Sequence, residues 1–218
     1  MKARFSLLGR SFLLIVFLYP ALTLGQELKP LVLPTPQTDG GKPLMQALKA
    51  RHSTREFRSE KLSPQVLANL LWAAFGINRP DSGKRTAPSA MNWQEIDVYV
   101  ATAEGLYVYD AKGNKLDAIL GEDVRSATGV QTFVKDAPLN LVYVADLAKT
   151  GRSSAEDKNL YTAADVGFIA QNVYLFCASE GLAVVVRGSV DRVALAQLMK
   201  LRPDQKILLA QTVGYPKK

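Results

Sequence analysis

Leu139-Asn-Leu-Val-Tyr-Val-Ala145 is a run without a single charge, rich in β-branched and aromatic side chains. Such a run has no polar face to turn to water, so it needs cover on both sides and reads as a buried central strand. It is followed by the longest helical pattern in the chain, roughly Lys158 to Glu180. There Val166, Ile169, Ala170, Val173, Tyr174 and Cys177 recur at helical spacing, and Gly181 stands where a left-handed residue ends a helix. A strand buried on both faces beside one long helix restricts the chain to a layered architecture, sheet inside and helices outside.

The other elements fit that frame. Pro43 opens a helix to about Arg51, and Ser63-Pro64 caps a second over Gln65–Phe75 that stops at Gly76. Trp72 and Phe75 read as core. Strands follow at Ile96–Thr102 and Gly105–Asp110, with a turn at Lys112-Gly113-Asn114. Leu116–Val134 reads as helical in pieces, broken near Gly129. Beyond the long helix come a short strand Ala183–Val186, a helix capped by Asp191 to about Lys200, and a last strand Ile207–Val213. Asn78–Met91 and Lys149–Asp157 are polar loops, and the Arg, Lys and Ser content of the first suits a binding loop. The expected fold is α+β, an α/β/α sandwich whose mixed, mostly antiparallel sheet is covered by helices on both faces.

Residues 1–25 combine a positive start (Lys2, Arg4), an apolar run from Phe12 to Tyr19 and a small residue before Gln26. That is the pattern of a cleaved signal peptide, which implies export, to the periplasm in a bacterium. The alternative is an uncleaved segment that anchors the protein to a membrane, although the run is shorter than the ~20 residues of a span. Residues 26–42, with prolines at 30, 34 and 36 and Gly40-Gly41, read as an extended arm, which leaves 43–218 as one domain. The formal charge of +7 owes part of its excess to the signal, and no Lys/Arg block interleaved with aromatics favours nucleic acid. An anionic small molecule suits this charge better. One histidine and one cysteine, His52 and Cys177, argue against zinc and Cys–His chemistry. Neither a Gly-x-Ser-x-Gly turn nor a Gly-x-Gly-x-x-Gly fingerprint is present.

Arg51-His52-Ser53-Thr54-Arg55-Glu56-Phe57 gathers two guanidiniums, the histidine and two hydroxyls at a helix exit. Taken alone, it is either a grip for a phosphate or planar acceptor, or a solvated charge cluster. Two further stretches bear on the choice: Pro88-Ser89-Ala90-Met91-Asn92-Trp93-Gln94, leading into the strand from Ile96, and Asp165–Tyr174 continuing through Gly181-Leu182 to Arg187-Gly188.

With Val213-Gly214-Tyr215-Pro216, these stretches resemble, in order and spacing, the flavin-dependent nitroreductase superfamily. The closest likeness is to its branch of azoline-forming (thiazole and oxazole) peptide dehydrogenases. The resemblance spans roughly Pro43 to Pro216 and implies flavin mononucleotide (FMN) as cofactor. It implies that Arg51, His52, Ser53 and Arg55 grip the phosphate and pyrimidine edge, and that Pro88, Ser89 and Asn92 reach a flavin held mainly by the other subunit of a homodimer. Backbone at Arg187-Gly188 would lie beside the redox edge, and Lys218 stands where the family has a basic residue on the phosphate. A small-molecule substrate and an electron donor, NAD(P)H or a periplasmic one, are the implied partners.

A bound flavin carries the chemistry itself, which explains an enzyme without a recognisable acid–base set. The expected activity is two-electron, ping-pong oxidoreduction. Two alternatives stay open: a flavin- or ligand-binding protein without turnover, and a dehydrogenase acting on a peptide heterocycle, for which Tyr161 and Lys158 are the candidate bases. Glu95 stands where many relatives have proline, and Trp93 is bulky, so the pocket over the flavin is expected to be reshaped.

Overall fold

The charge-free run becomes the middle of the sheet. The computed structural model describes residues 28–217; the expected signal peptide and Lys218 lie outside them. The chain runs β1 (Leu31–Val32), α1 (Leu44–Ala50), α2 (Pro64–Phe75), β2 (Ile77–Arg79), β3 (Lys84–Arg85), β4 (Ile96–Ala101), β5 (Leu106–Asp110) and β6 (Lys115–Leu120). It continues through β7 (Leu139–Asp146), α3 (Ala155–Glu180), β8 (Ala183–Arg187), α4 (Arg192–Leu198) and β9 (Gln205–Gly214), with single 3₁₀ turns between. Seven strands form one sheet in the order β1-β6-β5-β4-β7-β9-β8. Every neighbouring pair is antiparallel, so the sheet expected to be mixed and mostly antiparallel is antiparallel throughout.

Every residue of β7 is buried, and alternation divides its side chains between two cores. Leu139, Leu141, Tyr143 and Ala145 join Ile96, Val98 and Val100 of β4 beneath α2 and α3. Val142 and Val144 join Tyr99 and Ala101 on the opposite face, against Leu195 and Met199 of and beyond α4. Helices therefore cover both faces, as expected. Each fully buried aliphatic side chain here contributes roughly 1.5–3 kcal/mol. Cys177, fully buried in the first core, acts as a small hydrophobe.

Local signals set the helix ends. Ser63 Oγ accepts from Val66 N, with Pro64 in the first turn of α2. Ser154 Oγ accepts from Asp157 N, so α3 begins three residues before the expected Lys158. Gly181, at φ 71°, closes α3 in the left-handed region where an L side chain is strained.

One expectation fails. Leu116–Val134 is not helical in pieces: β6 occupies Lys115–Leu120, and only single 3₁₀ turns follow at Arg125–Thr128 and Thr132–Val134. Asn114 takes φ 46° in the turn after Lys112-Gly113, so the chain folds straight back and Leu116–Lys115 pair with Tyr109–Asp110. The turn chemistry overrides the helical propensity of the stretch. The Asn78–Met91 loop also contains the small β2–β3 hairpin.

On the α4 face a guanidinium is buried without a carboxylate. Arg187, 5 % exposed, donates from Nε to Thr212 Oγ1, from Nη1 to Thr128 O and from Nη2 to Asn140 Oδ1, at 3.1, 2.7 and 2.9 Å. Burial lowers its pKa to about 10, so it is still charged at neutral pH. Gly129 makes room for it, because a Cβ there would lie 1.9 Å from Arg187 Nη1. Gly129→Ala should therefore push the guanidinium off its acceptors and destabilise the fold by about 2–4 kcal/mol. Denaturant unfolding checks this, and a loss under about 1 kcal/mol would mean that Arg187 relaxes freely.

Candidate functional site

α1 ends at Ala50, and Arg51 takes an extended conformation (φ −61°, ψ 120°). The chain then runs along the edge of β8 that β9 leaves free. Thr54 N donates to Val184 O at 2.9 Å, Arg58 N to Tyr215 O at 2.9 Å, and Phe57 pairs with Pro216. One hydroxyl ties this segment to the helix layer. Tyr174 Oη, from the buried face of α3, accepts from Val186 N at 2.9 Å and shares a hydrogen bond with Ser53 Oγ at 2.8 Å. The guanidinium of Arg51 lies over the same ring, 5.4 Å from its centroid.

What remains on this edge is a set of donors. Arg55 is exposed, and among the described residues neither Arg51 nor Arg55 forms an ion pair, whereas the neighbouring Arg58 is 3.0 Å from Glu60. His52 is exposed and its Nδ1 is bonded to Ala50 O at 2.8 Å. Gly188, exposed at the end of β8, accepts from Val190 N but donates its own N–H to nothing among the described residues. The Arg187 side chain turns away into the buried network described above, so only its backbone belongs to this edge.

Pro88, Ser89 and Asn92 form a second cluster. Met91, Asn92 and Gln94 all adopt left-handed backbone, at φ 55°, 55° and 48°. Non-glycine residues pay conformational strain there, and such strain persists only where the surroundings over-determine it. The surroundings are a buried acid pair. Ala90 N donates to Asp165 of α3 at 2.9 Å, Gln94 N to Ser89 Oγ at 2.8 Å, and Ser89 Oγ to Glu95 Oε2 at 3.3 Å. Glu95 and Asp165 are 0 % and 1 % exposed, and Glu95 Oε1 has no other partner among the described residues. Burial raises both carboxyls above the ordinary range, and the Asp165 charge pushes Glu95 further. Two carboxyls placed together out of water disfavour each other's ionisation.

The two clusters are not brought together within one chain. Ser53 meets α3 at Tyr174 and Ala90 meets it at Asp165, a stretch of helix roughly 13 Å long at 1.5 Å per residue. Tyr161 and Lys158 lie near the Asp165 end, where Tyr161 packs edge-on against Trp93 at 5.8 Å.

Residues 48–215 match the model of the nitroreductase family. The chain belongs to the nitroreductase family. Its members are generally flavin-dependent oxidoreductases. A nitroreductase-type protein of Ralstonia eutropha has the same fold with a TM-score of 0.85 and 43% identity, over 89% of this chain and 93% of that one. A nitroreductase-type protein of Methanocaldococcus jannaschii is 30% identical over 73% of this chain and 85% of its own length. The Escherichia coli microcin synthetase complex McbBCD contains a chain of the same fold, with a TM-score of 0.67 at 20% identity over 96% of this chain and 85% of that one. The likeness to both nitroreductases and the azoline-forming branch therefore holds at the level of fold.

This edge offers groups that could hold a flavin nucleotide. Arg51 and Arg55 carry charge that could meet a phosphate, Ser53 a hydroxyl, and Gly188 an amide without a partner among the described residues that could meet a polar ring edge. Reading the sequence missed the role of Tyr174, which looked like one more core residue of the helical stripe. A buried tyrosine needs a partner for its hydroxyl, and that was the available signal. It missed the acid pair too, although Asp165 falls on the same helical face as Val166 and Ile169, where a charge is costly.

A carboxyl whose pKa is raised by folding favours the native state below its ordinary pKa and disfavours it as pH rises through the folded value. The melting temperature should thus fall as pH climbs above the ordinary carboxylate range. Glu95→Gln, which keeps a neutral partner for Ser89, should flatten that slope and melt a few degrees higher at pH 8. Parallel slopes in wild type and variant would show that the pair does not disfavour its own ionisation.

Proposed function

We propose that this protein is an exported, FMN-dependent oxidoreductase that works as a homodimer. It passes two electrons in ping-pong fashion between a donor, NAD(P)H or a periplasmic reductant, and a small organic substrate. The observation that carries the reading is that Arg51 and Arg55, without ion-pair partners among the described residues, flank Ser53 on a segment that Tyr174 fixes through Arg51 and Ser53. Two unpaired guanidiniums and a hydroxyl suit the charge of a phosphate monoester. Bound FMN supplies the redox chemistry. The protein's part is to neutralise the phosphate with Arg51 and Arg55, to orient Ser53, and to offer Gly188 N–H to the ring.

The dimer is inferred from α3. Its inner face is buried, yet the outer face presents Leu160, Ala163, Ala164, Gly167 and Phe168, with Leu160 62% and Phe168 48% exposed. Beside it α1 exposes Leu44, Met45 and Leu48 at 62%, 74% and 43%. A helix apolar on both sides is normally covered on both, and small residues at its centre admit a second backbone closely. A second copy laid on this face brings the Ser89–Asn92 loop of one chain towards the arginine edge of the other. Export follows from the signal pattern of residues 1–25 and removes the enzyme from the cytoplasmic NAD(P)H pool, which favours a periplasmic reductant.

Protein purified from its native compartment should be yellow and carry FMN. Arg55→Ala should raise the FMN Kd roughly ten- to hundredfold, the loss of one or two charge-assisted hydrogen bonds, while the flavin-free protein melts within about 1 °C of wild type. A colourless protein that takes up no added FMN would sink the reading, and an unchanged Kd would remove Arg55 from it.

A further inference from the structure

A pocket of about 210 Å³ lies between the β2–β3 hairpin and the strained Ser89–Gln94 loop. Arg79, Lys84 and Arg85 line it together with Ser89, Asn92 and Gln94, and no carboxylate does. Arg85 is built into the fold: Nη1 donates to Phe75 O at the end of α2, Nε to Gln94 Oε1, and the guanidinium lies 4.7 Å from the Phe75 ring centroid. Its charge adds to the pocket, but its donors are largely used.

The other donors are free. Arg79 is held by Nε to Asn78 and by Nη2 to Arg85 O, which leaves Nη1 without a partner. Lys84 Nζ and Asn92 Nδ2 likewise bond to nothing among the described residues, and the amide oxygens of Gln94 and Asn92 are already accepting. The nearest carboxylates acting on Arg85 are Asp97 and Asp110, neither in the lining, and Asp97 is paired with Lys149. Asp81, in the hairpin turn, is exposed and outside the lining. The pocket thus has donors and positive charge to spare and no acceptor to match them. An oxyanion corrects that imbalance.

We propose that this pocket is an anion subsite, taking the carboxylate or phosphate of the small-molecule substrate or of the electron donor. Anion binding here stands on the pocket alone, whereas its service to a redox reaction rests on the flavin reading, through Ser89 and Asn92 in its wall. Arg79 and Lys84 then select for an acidic partner, while the flavin-side residues do not.

The test is calorimetric titration of the full chain at low ionic strength with benzoate and with inorganic phosphate. At least one should bind, and its affinity should fall roughly tenfold in Arg79→Gln and in Lys84→Gln, the worth of one charge-assisted hydrogen bond. Lys200→Gln, on the α4 side of the sheet, should leave it unchanged. Preference for benzoate assigns the pocket to a substrate carboxylate, and preference for phosphate to the phosphate of a reductant. Binding of neither probe overturns the proposal. So does a loss confined to Arg55→Ala, which moves the anion to the flavin edge, or an equal loss in Lys200→Gln, which reduces it to general screening. None of these readouts needs FMN, so they stand if the flavin reading fails.

Discussion

The hydroxyl of Tyr174 is the joint on which the functional edge depends. It lies between Val186 N of the edge strand and Ser53 Oγ, while its ring carries Arg51 on its face. Without it, the segment leaving α1 would keep its backbone ties to β8 and to the chain end near Pro216, and the burial of Phe57, but nothing to fix Arg51 and Ser53. The joint rests on the core beneath it. Tyr174 is fixed because Val173 and Cys177 pack α3 onto β7, and Gln211 bridges Tyr143 to Ala170 O. Strand, helix and arginine segment are therefore one mechanical unit, and the charge-free strand at its centre is what makes the unit rigid.

α3 serves the molecule on two sides and at two heights. Its inner face holds Tyr174 towards its C-terminal end and Asp165 near its middle, so each half of the site hangs from the same helix. The residues between them keep the halves apart in a single chain. The proposed second copy would resolve that separation by supplying the other half-site from its own chain. On this account the acid pair Glu95–Asp165 is the counterpart of Tyr174: one fixes the arginine edge, the other the left-handed loop.

Much of this architecture was legible in the chain. Leu139–Ala145 announced a central strand because it carries no charge and is mostly apolar, and Ser63-Pro64 and Gly181 marked helix ends through chemistry that acts within a few residues. Leu116–Leu120 was misread because its composition suits a helix, and only the tight turn at Asn114 decides that it returns as a strand. The candidate residues at 51–55 and 88–92 were identified by resemblance, and their spacing alone did not separate a ligand grip from a solvated cluster. What the sequence hid was pairwise: which carboxyl faces Glu95, which hydroxyl meets Ser53, and where the Arg187 side chain goes. These depend on contacts between residues 25 to 121 positions apart, which no local pattern encodes.

Subunit mixing tests the central claim, that an arginine edge fixed by Tyr174 and a loop fixed by Glu95–Asp165 meet across two copies. Differently tagged Arg55→Ala and Asn92→Ala chains are co-expressed, and the species bearing both tags is isolated and titrated with FMN. If the site spans two copies, the mixed dimer has one doubly altered site and one intact site. It should bind FMN at half the wild-type stoichiometry with wild-type affinity, although neither parent does. Should the mixed species bind no better than its parents, both clusters would serve a flavin within one chain, and the account of α3 as the axis of a shared site would be contradicted.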